Sequence, residues 1–147
     1  MTELLLLFAA RYEHVEKKII PTIKNGIHVI CDRFFDSTTA YQGYGHGIDL
    51  NKIDALRKLT IGDFKPDLTI FLDIPVSKGI TRSKRIDNKE QRFENMDLSF
   101  HEKLYKGFKE ISLNNSERFI SVDANDSIDK IHENISNIVF QKINQNK

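Results

Sequence analysis

Apolar positions along this chain follow two alternating rhythms. Leu4, Leu7, Phe8, Val15 and Ile19 recur at helical spacing, with Glu13, Glu16, Lys17 and Lys18 between them, which predicts an amphipathic helix. Thr2 and Glu3 suit its opening and Asn25-Gly26 its close, while Pro21 predicts a kink or a hand-over to a final turn. "IHVIC" (27–31) reads as a short strand rich in β-branched residues. "DLNKIDALRKLTIG" predicts a helix ended by Gly62, and "KPDLTIFLDIP" a strand from Leu68 to about Asp73 between two prolines. "SKGITRSKR" continues as a helix into the charged run "RIDNKEQRFENMD". Leu98, His101, Leu104, Tyr105, Phe108 and Ile111 mark a further helix, and "RFISVDA" a third strand. Ile128, Ile131, Ile135, Ile138 and Val139 mark the last helix.

Strands alternating with helices predict an α/β domain, a parallel sheet covered on both faces. No repeat, low-complexity linker or domain boundary interrupts residues 1–147, so a single domain is expected. Asp73 and Asp123, at strand ends, are open to a functional role, with helix capping the plainer reading. The histidines show no metal-ligand spacing, and no Ser-His-Asp or cysteine cluster is visible.

Charge narrows the function classes. Charged residues make up 29% of the chain, yet the formal net charge is only +1. No global field draws such a protein to nucleic acid or to a membrane surface, so any anion site must be local. "MTELLLLFAAR" lacks a basic opening, carries Glu3 ahead of its apolar run and meets no cleavage site, so it does not read as a targeting segment. No stretch is long enough to span a bilayer. The single cysteine, Cys31, lies in a strand-like run and reads as a buried structural thiol in a reducing compartment.

The local anion site is expected in "ICDRFFDSTTAYQGYG", residues 30–45. Open α/β sheets bind ligands beyond the carboxyl ends of their strands, and Asp32-Arg33 stand at such an end. Arginine offers a planar fork for phosphate or carboxylate. Asp32 could orient that fork or hold a metal through water. Ser37, Thr38 and Gln42 supply neutral donors and acceptors suited to a nucleobase edge, and Tyr41 a flat wall. The plainer alternative is a capped helix start, with Asp36 as the cap and Asp32–Arg33 as a structural pair.

Four segments in order, "LLLLFAARYEHVEKKIIP", "CDRFFDSTTAYQGYGHGID", "KPDLTIFLDIP" and "RFENMDLSFHEKLYKGF", resemble bacterial thymidylate kinase over essentially the whole chain. The resemblance implies the three-layer α/β/α fold of the P-loop nucleoside monophosphate kinases, a cytoplasmic setting and a homodimer. It implies phosphorylation of dTMP to dTDP by ATP with Mg2+. On this resemblance Arg33 grips the dTMP phosphate, and Asp32 supports it and a magnesium-bound water. Arg11 reaches the thymine edge or phosphate region. Leu7 or Phe8 packs on the thymine face; family members often carry an aromatic residue where this chain has Leu7. Ser37, Thr38 and Gln42 line the base site, and Tyr41 lies under the deoxyribose. Residues 82–96 align with the lid over ATP, where Arg82 and Arg92, ahead of Lys84 and Arg85, are candidates to touch the transferring phosphoryl group.

One family motif does not occur in the 147 residues. None of the seven glycines begins G-x-x-x-x-G-K-[ST], the loop whose amides and lysine cradle phosphates. The chain is therefore expected to correspond to the C-terminal portion of the family, missing the first two of five strands in spatial order 2-3-1-4-5. The strands at 27–31, 68–72 and 118–122 would be the third, fourth and fifth. Two outcomes are expected of such a chain. Either it acts in the phosphorylation of dTMP by ATP, or it is non-catalytic: a remnant, the C-terminal half of a split kinase that binds dTMP or a partner fragment without turnover, or a structural oligomer that has lost the chemistry.

Overall fold

The computed structural model describes residues 1–83 and 96–145, and its chain forms two compact units, Met1–Lys65 and Pro66–Lys147.

The first unit is helical. α1 (Thr2–His14) passes into a π-helical turn, Val15–Ile19, and then α2 (Ile20–Lys24). Pro21 explains the interruption. Its ring clashes with the carbonyl four residues back and it has no N–H to donate, so the preceding turn widens. Asn25 caps the end, and Gly26 takes the left-handed backbone (φ 73°) needed to leave it. α3 (Phe35–Thr38) runs into a second π-helical segment, Thr39–Gly45. α4 (Leu50–Ile61) opens on Asp49, whose carboxylate accepts from the Asn51 N–H at 2.9 Å, and closes on Gly62. Leu4 and Phe8 of α1 and Val15 and Ile19 of the turn after it meet Phe34, Phe35, Ile53 and Ile61 in one core. Each such side chain contributes about 1.5–3 kcal/mol by leaving water.

The second unit holds the sheet. β1 (Thr69–Asp73) and β2 (Phe119–Asp123) pair in parallel, Thr69 opposite Phe119 and Asp73 opposite Asp123. α5 (Val76–Ser83) and α6 (Leu98–Asn114) lie between them in sequence, and α7 (Ile128–Gln145) follows β2. Phe71 stacks on Phe108 of α6 with ring centroids 5.6 Å apart, which seats that helix on one face of the sheet. Asp97 caps α6 by accepting from the Phe100 N–H at 2.8 Å. Parallel pairing with helical crossovers is the expected α/β pattern, and both late strands fall within a residue of their predicted places.

Three expectations are corrected. Residues 27–31 form no strand: among the described residues the sheet has two strands, and Ile27 and Ile30 are 58% and 98% exposed. A strand exists only where a neighbour completes its ladder, and "IHVIC" meets none among the described residues. Cys31, expected to be buried by that sheet, is exposed for the same reason. Asp73 and Asp123 cap no helix. Asp73 accepts from the Tyr105 hydroxyl at 2.9 Å and pairs with Lys109, while Asp123 accepts from the Asn125 backbone N–H at 2.9 Å to close a turn.

Candidate functional site

The first unit brings α1 against the segment 33–42. Arg11 sits one turn beyond Leu7 and two beyond Glu3, so all three share one stripe of the helix. Its Nη2 donates to Thr38 Oγ1 at 3.0 Å and reaches the Phe34 carbonyl at 3.5 Å. Its guanidinium lies over the rings of Phe8 (5.1 Å) and Phe34 (5.4 Å). Burial holds its pKa below the usual arginine value, against the pull of the neighbouring Cys31 and Asp36 charges. Arginine remains cationic at neutral pH even so. Nη1 is buried with no hydrogen-bond partner, a cationic donor left to be satisfied.

Arg33 opens the facing segment. Its backbone has φ 61°, the left-handed region that costs a residue with a Cβ roughly 1–2 kcal/mol. Its guanidinium lies over the Tyr41 ring at 5.1 Å, and the residue itself is exposed. Strain of this kind persists where surrounding structure over-determines it, commonly at ligand sites. Asp32 beside it is exposed. The Cys31 thiol donates to the Arg33 carbonyl at 3.5 Å; partial burial pushes its pKa up, with Arg11 pulling it down. Farther along, Thr38 and Gln42 are almost fully buried at 3% and 4% exposure, and Gln42 Nε2 donates to Glu3 Oε1 at 3.5 Å. Ser37 and Tyr41 are half-buried.

Three contacts tie this stretch together in pairs: Arg33 lies over Tyr41, Arg11 donates to Thr38, and Gln42 meets Glu3 of the same helix stripe. Two cations with planar forks, one with an unmet donor, can take an anion, and the buried hydroxyl and amide can read a ring edge. Asp36 departs from the plain capping alternative. Phe34 is the cap of α3, and Asp36 lies inside the first turn, buried, where its charge favours the Arg11 cation. Glu3 was not singled out in the sequence as a site residue, although the Glu3, Leu7, Arg11 spacing of four contains the signal.

A family profile described as thymidylate kinase matches residues 1–135. The chain belongs to the thymidylate kinase family. A thymidylate kinase of Geobacter sulfurreducens is 40% identical over 97% of the chain, and one of Wolbachia sp. subsp. Brugia malayi 45% identical over 95%. The crystal structure of thymidylate kinase from Ehrlichia chaffeensis superposes with a TM-score of 0.72 at 33% identity, covering 94% of the chain. The chain spans 69% and 66% of those two relatives and 63% of the solved one, about two thirds of a thymidylate kinase. The likeness to the solved kinase agrees with the α/β class expected of a P-loop nucleoside monophosphate kinase.

In the second unit Arg82, expected in the thymidylate kinase lid, lies at the end of α5. Its Nη1 donates to the Ala124 carbonyl at 2.6 Å and its Nη2 to that of Asn125 at 3.5 Å, in the turn after β2. Lys78 reaches the Asn125 side chain at 3.1 Å. Lys84, Arg85 and Arg92, the other lid candidates, lie outside the described residues. Among the described residues no group of three His, Cys, Asp or Glu is arranged to hold a metal ion, and no helix is long and apolar enough to cross a membrane.

Proposed function

We propose that this chain carries the dTMP site of a thymidylate kinase, the part that holds the acceptor while ATP supplies the phosphoryl group. The supporting observation is the pairing of Arg33 on Tyr41 with an Arg11 whose Nη1 lacks a partner. On this reading Arg33 takes the dTMP phosphate and Tyr41 lies beneath the sugar, where its bulk disfavours a 2′-hydroxyl. Arg11, Ser37, Thr38 and Gln42 meet the base. Phe8 is 1% exposed and belongs to the core, so Leu7, half-buried beside it, has the accessible surface for the thymine face.

The acceptor oxygen of dTMP would attack the γ-phosphorus of ATP in line as its bond to the β,γ-bridging oxygen breaks and ADP leaves, with arginines neutralising the equatorial oxygens. Mg2+ and ATP are the cofactors the family implies. Mg2+ is ordinarily held by one or two carboxylates together with substrate phosphates and water. The exposed Asp32 offers one such carboxylate, beside Arg33. For the ATP phosphates the 147 residues hold no P-loop motif, so a phosphate cradle of that kind is not among them. Arg82, whose guanidinium donates to the Ala124 carbonyl, and Arg92 are the candidates to meet the transferring phosphoryl group.

A second reading has its own support. The exposed run Ile27–Cys31, without strand partners among the described residues, suits a chain that waits for a complementing segment and binds dTMP without turnover until it arrives. Calorimetry with dTMP and UMP tests the shared claim: dTMP should bind at least tenfold tighter, the worth of about 1.4 kcal/mol. Equal affinity would sink both readings. An ADP-release assay separates them, run with the chain alone and mixed with a P-loop-bearing N-terminal segment. Turnover by the chain alone supports the kinase reading; turnover only in the mixture supports the complemented half.

A further inference from the structure

Gln42 is 4% exposed, and the group its side-chain amide meets on α1 is a carboxylate: Nε2 lies 3.5 Å from Glu3 Oε1. A carboxylate can only accept hydrogen bonds. The amide must therefore turn its NH2 toward Glu3, because the flipped amide would set its carbonyl oxygen against a negative charge. With no such neighbour, the two orientations of a glutamine are nearly equivalent in shape. Glu3 thus leaves Oε1, a pure acceptor, as the amide's other end.

We infer that Glu3 is a positioning residue for base choice, fixing the Gln42 amide so that Oε1 accepts from the N3–H of a 4-oxopyrimidine. This rests on the reading that Gln42 meets the base. Thymine and uracil carry a proton on N3; cytosine carries a lone pair there, which faces the Oε1 lone pairs without a hydrogen. A buried acceptor confronted by an acceptor loses its hydrogen bond and stays desolvated, which is how polar sites reject near-isosteres. Arg11 and Glu3 lie two helical turns apart on one stripe of α1, and Thr38 and Gln42 four residues apart on the facing segment. The helix therefore presents a donor to the hydroxyl and an acceptor to the amide, each side chain locked in one sense. The competing role for Glu3 is as a first-turn acid that steadies the start of α1.

The test compares dTMP, dUMP and dCMP binding by calorimetry in the full chain. Glu3→Gln can donate or accept, so the Gln42 amide is free to flip. The dTMP:dCMP affinity ratio should fall about tenfold while the dTMP:dUMP ratio holds. Glu3→Asp keeps a first-turn acid but is one methylene too short for a contact already at 3.5 Å, and should narrow the ratio in the same direction. It also serves should Glu3→Gln fail to fold. In a Gln42→Leu background neither change should move the ratio. Parallel weakening of all three ligands, or a ratio unchanged in both variants, overturns the role of Glu3. A parent chain with no preference for dTMP over dCMP overturns the base-site reading itself and this inference with it.

Discussion

Arg11 donates to Thr38 Oγ1 at 3.0 Å while its other terminal nitrogen, Nη1, is buried and unmet. The first contact fixes the guanidinium; the second leaves it with capacity for a ligand. Arg11→Met keeps the apolar stem between Phe8 and Phe34 but removes both. The Thr38 hydroxyl is then left buried without the guanidinium, at a cost of about 1–3 kcal/mol in a urea titration. Affinity for dTMP should fall by about 10–100-fold, matching the loss of a charge-assisted hydrogen bond. Unchanged dTMP affinity would remove Arg11 from the site.

Arg33 combines a left-handed backbone with a contact to Tyr41. Glycine accepts φ 61° without penalty, so Arg33→Gly relieves roughly 1 kcal/mol of strain and gives up a cation–π contact of about 0.5–1 kcal/mol. The urea midpoint should hold or rise slightly while dTMP binding drops beyond detection. A large loss of stability would mean that Arg33 is held for the fold rather than for a ligand.

Gly43, in the Ala-Tyr-Gln-Gly run, packs against α4. A Cβ there would come within 2.4 Å of Leu50 Cδ2 and 3.2 Å of Ile53 Cδ1. Leu50 is partly exposed and can swing away; Ile53 is buried at 2% and cannot. Gly43→Ala should cost about 1 kcal/mol and Gly43→Val about 3 kcal/mol by overpacking. Thermal unfolding of the two variants reads this directly, and an Ala variant as stable as the parent would show that the space exists.

The α6 cap responds to acid. The Phe100 backbone N–H, then the Ser99 hydroxyl, hold the Asp97 carboxyl below its usual range. A folded-state pKa below the unfolded value means that the ionised form favours the helix. Its contribution is therefore complete above the ordinary carboxylate range and disappears as pH falls through the lowered value. The Phe100 amide should lose its hydrogen-exchange protection in that acid window. With Asp97→Asn, which caps without ionising, the protection should no longer follow that titration.

The helices were legible in the sequence because their causes are local. Leu4, Phe8, Val15 and Ile19 repeat at the spacing that puts them on one side, and Asp49, Gly62 and Asp97 carry the chemistry that starts or stops a helix wherever they stand. β1 and β2 were legible as well, since their apolar runs find each other. The family could be read from ordered motifs, which need no coordinates. The periodicity of α1 did not distinguish Phe8 from Leu7, because both belong to the apolar stripe and only the packing decides which is sealed in the core.

Tertiary structure alone decided what depends on partners distant in the chain. "IHVIC" has the composition of a strand, but a ladder requires a second chain segment, so Ile30 and Cys31 stand exposed. Gln42 and Glu3 are 39 residues apart, Thr38 and Arg11 27. A sequence states which groups can donate and accept; which of them meet is set by the packing of α1 on the segment 33–42, where burial makes an unmet donor or a misdirected amide costly.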